Sequence, residues 1–129
     1  MDEKICFISL GSNTDGEKNL EKARKELTRY FPDIRYDEAC RTYPINLHNP
    51  SLFVNQIALF HTFYSLYEVK CVLKDIEHSC AEIPKDKANE IIRIDIDLLQ
   101  FGQEILKPED MKRPYVRSGL RHLSKWLNK

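Results

Sequence analysis

The chain has few of the features that would place it in a specialised class of protein. It has no net charge, because 20 basic residues balance 20 acidic ones among 129, so its overall charge favours neither nucleic acid nor a membrane surface. No apolar stretch approaches the roughly 18 residues of a membrane-spanning helix. Three of the first four residues, Met-Asp-Glu-Lys, are charged, which is not typical of a signal peptide. We therefore expect a cytoplasmic protein that binds neither.

The common metal-binding and nucleotide-binding motifs are also lacking. The four cysteines form no Cys-x-x-Cys pair and no Cys/His spacing suited to zinc, which favours free thiols. There are only four glycines, and neither a P-loop nor a Gly-x-Gly-x-x-Gly sequence occurs. Any anionic ligand must therefore be held by a local cluster of cations.

The patterns that are present alternate between strand and helix. Strands are predicted over residues 5–11, 33–43, 53–63 and 91–101, helices over 20–31 and 66–80, and loops over 44–52 and 81–90. A hairpin is expected at Gly102, and a short closing helix over 117–129. This order predicts one α+β domain over residues 1–129, a ferredoxin-like split βαβ fold whose antiparallel sheet carries helices on one face.

The strongest chemical signal is the sequence Asp95-Ile96-Asp97. Residues i and i+2 of a strand point to one face, about 7 Å apart. Two carboxylates at that distance repel each other, and a divalent cation resolves the conflict. Mg²⁺ prefers one or two carboxylates together with phosphate oxygens. A metal site at these aspartates is therefore one reading, and a solvated acidic strand face is the other.

Three weaker signals lie elsewhere. Phe53 and Asn55 share a strand face, and an aromatic ring beside an amide suits a flat heterocycle with a mixed hydrogen-bonding edge. Thr42, which comes just before the long loop 44–52, could contribute a hydroxyl. The stretch 112–122 carries four cations and a histidine, which makes it the best anion-binding patch. Each of these three also has a purely structural explanation.

Taken in order, these segments resemble the 6-hydroxymethyl-7,8-dihydropterin pyrophosphokinases of folate biosynthesis. The resemblance rests on a set of short motifs that covers most of the chain: Gly11-Ser12-Asn13, Arg41-Thr42-Tyr43-Pro44, Phe53-Val54-Asn55, Ile76-Glu77, Asp95-Ile96-Asp97, Phe101-Gly102 and the segment from Pro114 to Arg121.

The resemblance implies an enzyme that transfers a pyrophosphoryl group from ATP to a pterin alcohol and releases AMP. It implies that Asp95 and Asp97 hold two Mg²⁺ ions on ATP. The remaining residues that it implies are Thr42, Phe53, Asn55 and Leu123 for the pterin, and Glu77, Arg117 and Arg121 for ATP, with Arg121 also assisting catalysis.

Several residues of that family are replaced here. The loop before the Asp-x-Asp strand lacks the family's arginines and its tryptophan, so Lys85, Lys87 and Arg93 become the candidate catalytic cations. We expect Arg93 to face the same way as the two aspartates. Two alternatives stay open: a degenerate relative that binds a nucleotide or heterocycle without efficient transfer, and a ferredoxin-like regulatory or interaction module.

Overall fold

The computed structural model describes residues 2–44, 48–80, 86 and 88–127. Its strands and helices are β1 (Lys4–Ser12), α1 (Gly16–Tyr30), β2 (Arg35–Tyr36), β3 (Cys40–Thr42), β4 (Phe53–Thr62), α2 (Leu66–Ser79), β5 (Asp95–Phe101), β6 (Glu104–Ile105), α3 (Pro108–Met111) and α4 (Pro114–Leu123), followed by a 3₁₀ turn at Ser124–Trp126.

These strands form one antiparallel sheet with β1 at its centre. β1 pairs with β4 on one side and with β5 on the other. The short strands β2 and β3 both pair with β4, and β6 pairs with the end of β5. The expected α+β class, with an antiparallel sheet that carries helices, is confirmed.

Helices cover both faces of the sheet. α1 and α2 pack on one face, where alternate residues of the strands form the larger core with Leu20, Leu27, Val69 and Leu73. On the opposite face, Val116 and Leu123 of α4 pack with a smaller set of apolar residues, namely Phe7, Ile57, Leu59 and Leu99. The expectation of helices on one face therefore holds for α1 and α2, and α4 covers part of the other.

Several element boundaries differ from the prediction. The strand expected over 33–43 is two short strands, β2 and β3, separated by residues 37–39. β5 begins at Asp95 rather than at residue 91. The segment just before β5 is instead hydrogen-bonded to Asn13, the residue that follows β1. The Asn13 amide oxygen accepts from the Ile92 backbone N–H at 2.7 Å, and the Asn13 N–H donates to the Ile92 carbonyl at 2.9 Å.

The C-terminal helix also begins earlier than expected. α4 begins at Pro114 rather than at Arg117, because proline is favoured in the first turn, where its missing N–H has no partner to lose. The short helix α3 was not predicted. The capping box at Ser65 and Glu68 is confirmed, with the two side chains bonded to each other's backbone N–H at 3.1 and 2.9 Å.

All four cysteines are free, as expected. No helix in the described part of the chain is both long enough and apolar enough to cross a membrane.

The contact between α4 and the sheet depends on a glycine. A Cβ at Gly119 would lie 2.8 Å from both Cβ and Cγ1 of Ile57. Gly119→Ala should therefore destabilise the protein, because overpacking costs about 1–3 kcal/mol, more than the gain of about 1 kcal/mol from helix propensity. Chemical denaturation measures the difference. Arg117→Ala, at an exposed position of the same helix, is the control, and a stabilised Gly119→Ala protein would contradict the close packing.

Candidate functional site

Strand register brings the candidate residues together in two rows across the sheet. Gly11 of β1 lies opposite Asn55 on one side and Asp95 on the other. In the next row on that face, Ser9 lies between Ile57 and Asp97. Because side chains alternate along a strand, both rows point to the face that α4 partly covers. An amide and two carboxylates therefore meet at one end of the sheet.

A first cavity of about 240 Å³ opens over these rows. Its lining is mostly polar and consists of Ser9, Gly11, Thr42, Tyr43, Phe53, Asn55, Ile92, Asp95, Asp97, Asp110, Arg113 and Tyr115. Gly11 forms part of its floor, since a Cβ there would lie 3.2 Å from the Asn55 side-chain oxygen. The absence of a side chain at this position leaves room for a flat ligand beside the amide.

The Asn55 amide is held in a fixed orientation. Asn55 is 6% exposed, and its Nδ2 donates to the Thr42 hydroxyl at 2.5 Å. The pairing of β3 with β4 sets this contact, because Thr42 lies opposite Phe53. The structure thus brings Thr42, Phe53 and Asn55 together, and with Nδ2 engaged, Asn55 Oδ1 lies beside Gly11 as an acceptor.

A second cavity of about 640 Å³ lies beside the first and shares Asp95 and Asp97 with it. α2 and the segment after β6 supply most of its other lining residues: Tyr67, Lys70, Cys71, Leu73, Lys74, Glu77, Ile96, Leu98, Leu106 and Lys107. The two aspartates therefore stand at the junction between a small polar cavity and a larger one that contains three lysines.

The carboxyl groups at this junction oppose each other's ionisation. Loss of hydration, and then the charge of Asp95, raise the pKa of Asp97 to about 7. Loss of hydration also raises the pKa of Asp95, with a contribution from Glu77. The Glu77 pKa is raised chiefly by burial, and its Oε2 accepts from the Ile96 backbone N–H at 2.7 Å. With a pKa of about 7 and without a bound metal cation, Asp97 is partly protonated at neutral pH.

This donor set fits a hard divalent cation that is shared with a ligand. Within the described residues, no group of three or more His, Cys, Asp or Glu side chains is arranged to hold a metal ion. Two adjacent carboxylates with raised pKa values would gain from a positive charge, and Mg²⁺ completes its shell with water and phosphate oxygens. Asp95 and Asp97 therefore suit Mg²⁺ brought in with a polyphosphate.

The candidate cations that the structure describes, Arg93, Arg117 and Arg121, lie outside both cavities. Arg93 does not line either cavity, and it forms a two-point ion pair with Asp86, with Nε to Oδ2 at 2.7 Å and Nη2 to Oδ1 at 3.2 Å. Arg117 and Arg121 are exposed on α4 outside both linings. Lys85 and Lys87 fall outside the described residues.

Leu123 also lies away from the two cavities. It is 2% exposed and belongs to the apolar cluster between α4 and the sheet. The pterin-binding role implied for it finds no support in this position, because a buried leucine presents no surface to a ligand there.

Lys70, Lys74 and Lys107 line the second cavity but were not among the candidate site residues predicted from the sequence. A signal for the first two was present, since Lys70, Lys74 and Glu77 follow helical i, i+4, i+7 spacing and so share one face of α2. Lys107 carried no such signal. Its position depends on the turn after β6, where its backbone N–H approaches the Leu99 carbonyl at 3.4 Å.

Comparison with known proteins identifies one family. The model of the 7,8-dihydro-6-hydroxymethylpterin-pyrophosphokinase (HPPK) family matches residues 7–125, a span that includes the lining of both cavities. No curated protein matches the chain. Among solved structures, the chain is similar to a de novo designed protein, Foldit4, at 7% identity over 80% of this chain and 99% of that one, with a TM-score of 0.42. A likeness that weak carries no argument about function.

The raised pKa of Asp97 leads to a prediction about how the stability of the fold depends on pH. A carboxyl group whose pKa is higher in the folded state than in the unfolded one stabilises the fold at low pH. That contribution is lost as pH rises from the unfolded value of 3.8 through about 7. Without metal, Asp97→Asn should therefore be more stable than the wild type at pH 8, by about 1–3 kcal/mol, with little difference near pH 4.

Thermal unfolding in a chelating buffer across this pH range measures the effect. Asp75→Asn is the matched control, because Asp75 is an exposed residue on α2 outside both cavities. If Asp97→Asn has the wild-type stability at pH 8, the ionised Asp97 carboxylate does not destabilise the fold.

Proposed function

The chain belongs to the 7,8-dihydro-6-hydroxymethylpterin-pyrophosphokinase family, and on that basis we propose that it transfers the pyrophosphoryl group of ATP to 6-hydroxymethyl-7,8-dihydropterin. Family membership itself gives the coarser role, a pyrophosphokinase-type transferase of folate biosynthesis. The observation that carries the finer proposal is the sharing of Asp95 and Asp97 by two adjacent cavities. One cavity would hold each substrate, with the reacting groups at the junction.

The pterin is assigned to the first cavity. A pterin is a flat heterocycle whose edge carries both donors and acceptors, which the buried amide of Asn55 can match. Phe53 offers a ring beside it, and Gly11 leaves the floor open. Thr42 holds the amide in place through its hydroxyl. These contacts would orient the hydroxymethyl group toward the aspartates.

ATP is assigned to the second cavity, which is the larger of the two and the one whose described lining includes lysines. Asp95 and Asp97 would hold two Mg²⁺ ions, which when bound would neutralise charge on the phosphates. The hydroxymethyl oxygen would attack the β-phosphorus, its proton would pass to solvent or a nearby base, and AMP would leave. The contribution of the protein is then mainly positioning and charge stabilisation.

Turnover should be slow compared with that of a family member that keeps its loop arginines. Removing one electrostatic donor from an active site costs about 10²–10³ in rate, and here Arg93 is engaged with Asp86 while Arg117 and Arg121 line neither cavity. The same observation favours the alternative in which the chain binds nucleotide without efficient transfer. We place the reaction in the cytoplasm.

The proposed reaction is tested by AMP formation from saturating ATP, Mg²⁺ and 6-hydroxymethyl-7,8-dihydropterin. We expect slow AMP formation that requires both the pterin and Mg²⁺. Asp95→Asn and Asp97→Asn should each reduce it to background, because either change removes a carboxylate that would hold the cation. Binding of both substrates without any AMP would instead establish the alternative, a degenerate relative.

The pterin pocket is tested by Asn55→Ala. Removing the buried amide should weaken pterin binding by about 1–3 kcal/mol, the cost of leaving polar groups of the ligand unpaired. Titration calorimetry with the pterin gives the affinity, and ATP affinity should stay near that of the wild type. Gln103→Ala, which removes an exposed amide outside both cavities, is the control. Unchanged pterin affinity in Asn55→Ala would rule out this pocket.

A further inference from the structure

Three lysines converge on the second cavity from two separate elements. Lys70 and Lys74 are one turn apart on α2, and Lys107 follows β6. All three are exposed side chains that line the same space as Asp95 and Asp97. The charge of Lys107 acts on both aspartates and that of Lys74 acts on Glu77, which places these ammonium groups within electrostatic reach of the carboxyl cluster.

The backbone segments that carry these lysines are fastened to β5. α2 is bonded to the strand through Glu77, whose carboxylate accepts from the Ile96 N–H at 2.7 Å. Further along the strand, the N–H of Leu106, the residue before Lys107, donates to the Leu99 carbonyl at 2.8 Å. The lysines thus have flexible side chains on backbone segments that are hydrogen-bonded to the strand that bears the aspartates.

The charge of the two cavities differs in a way that separates their ligands. Among the described lining residues, the first cavity has three carboxylates and one guanidinium, and that guanidinium, Arg113, is paired with Asp110 at 3.1 Å. The second cavity sets three lysines against three carboxylates. A polyanion is repelled by the first cavity and accommodated by the second, above all when a divalent cation offsets the aspartates.

We propose that Lys70, Lys74 and Lys107 are phosphate-binding residues that take over the charge-neutralising role of arginines for a polyphosphate bound in the second cavity. Lys107 lines the second cavity together with the aspartates and would contact the end of the polyphosphate nearest to them. Lys70 and Lys74 would follow the chain of phosphates along α2. This inference rests on the proposed function for the identity of the ligand as the triphosphate of ATP.

The test measures binding of inorganic triphosphate and of ATP by titration calorimetry, in buffer with Mg²⁺, to the wild type and to Lys70→Gln, Lys74→Gln and Lys107→Gln. Each change should raise Kd about tenfold for both ligands, since a hydrogen bond to a charged group is lost. The matched control is Lys25→Gln, an exposed helical lysine that pairs with Glu21 at 3.8 Å and lines neither cavity. Thermal unfolding verifies that each variant folds.

The outcomes separate this inference from the proposed function. Lysine-dependent triphosphate binding supports the inference even if no AMP forms, and in that case the transfer reaction alone fails. Triphosphate and ATP affinities that all three variants retain within about twofold of the control overturn the inference and leave the reaction standing. A wild-type protein that binds neither triphosphate nor ATP overturns both.

Discussion

The register of the central strand β1 is the constraint on which the site depends. Gly11 and Ser9 each lie between a residue of β4 and one of β5, so two separate pairings decide which side chains meet. A shift of one residue in either pairing would turn Asn55 or the two aspartates to the opposite face. The apolar residues that alternate with them hold the register, because the same shift would expose the core beneath α1 and α2. Core packing and site geometry are therefore specified by the same set of pairings.

The same geometry places three carboxyl groups close together, where each disfavours the ionisation of its neighbours. Asp95, Asp97 and Glu77 all have raised pKa values, and loss of hydration is the largest cause for each. Glu77 has a structural role as well, since it satisfies the Ile96 N–H at the open edge of β5. Such a cluster lowers the stability of the protein without a ligand, and a cation or protons must compensate. Carboxylates retained at this cost are a mark of a functional site.

The sequence was sufficient for features that depend on local periodicity. The face shared by Asp95 and Asp97, that shared by Phe53 and Asn55, and the capping box of α2 all follow from spacing along one element. Contacts between different elements could not be predicted from spacing along a single element. Arg93 has the spacing of a residue that faces with the aspartates, yet it precedes the start of β5 and pairs with Asp86. The burial of Leu123 beneath α4 likewise depends on which face of the sheet that helix covers.

The two cavities differ in the charge of their linings, and this difference is visible only when each lining is considered as a whole. A heterocycle without net charge is nearly indifferent to the surplus of carboxylates around the first cavity, and it gains from the fixed amide of Asn55. A polyphosphate is sensitive to that surplus, and among the described lining residues only those of the second cavity include lysines. Because the aspartates belong to both, a cation that neutralises them acts on both ligands at once. Lysine is a point charge where arginine is a planar fork, so phosphates held in this way would be neutralised but less rigidly oriented. On our proposal, replacing arginines by lysines would therefore preserve nucleotide binding and lower the rate of transfer.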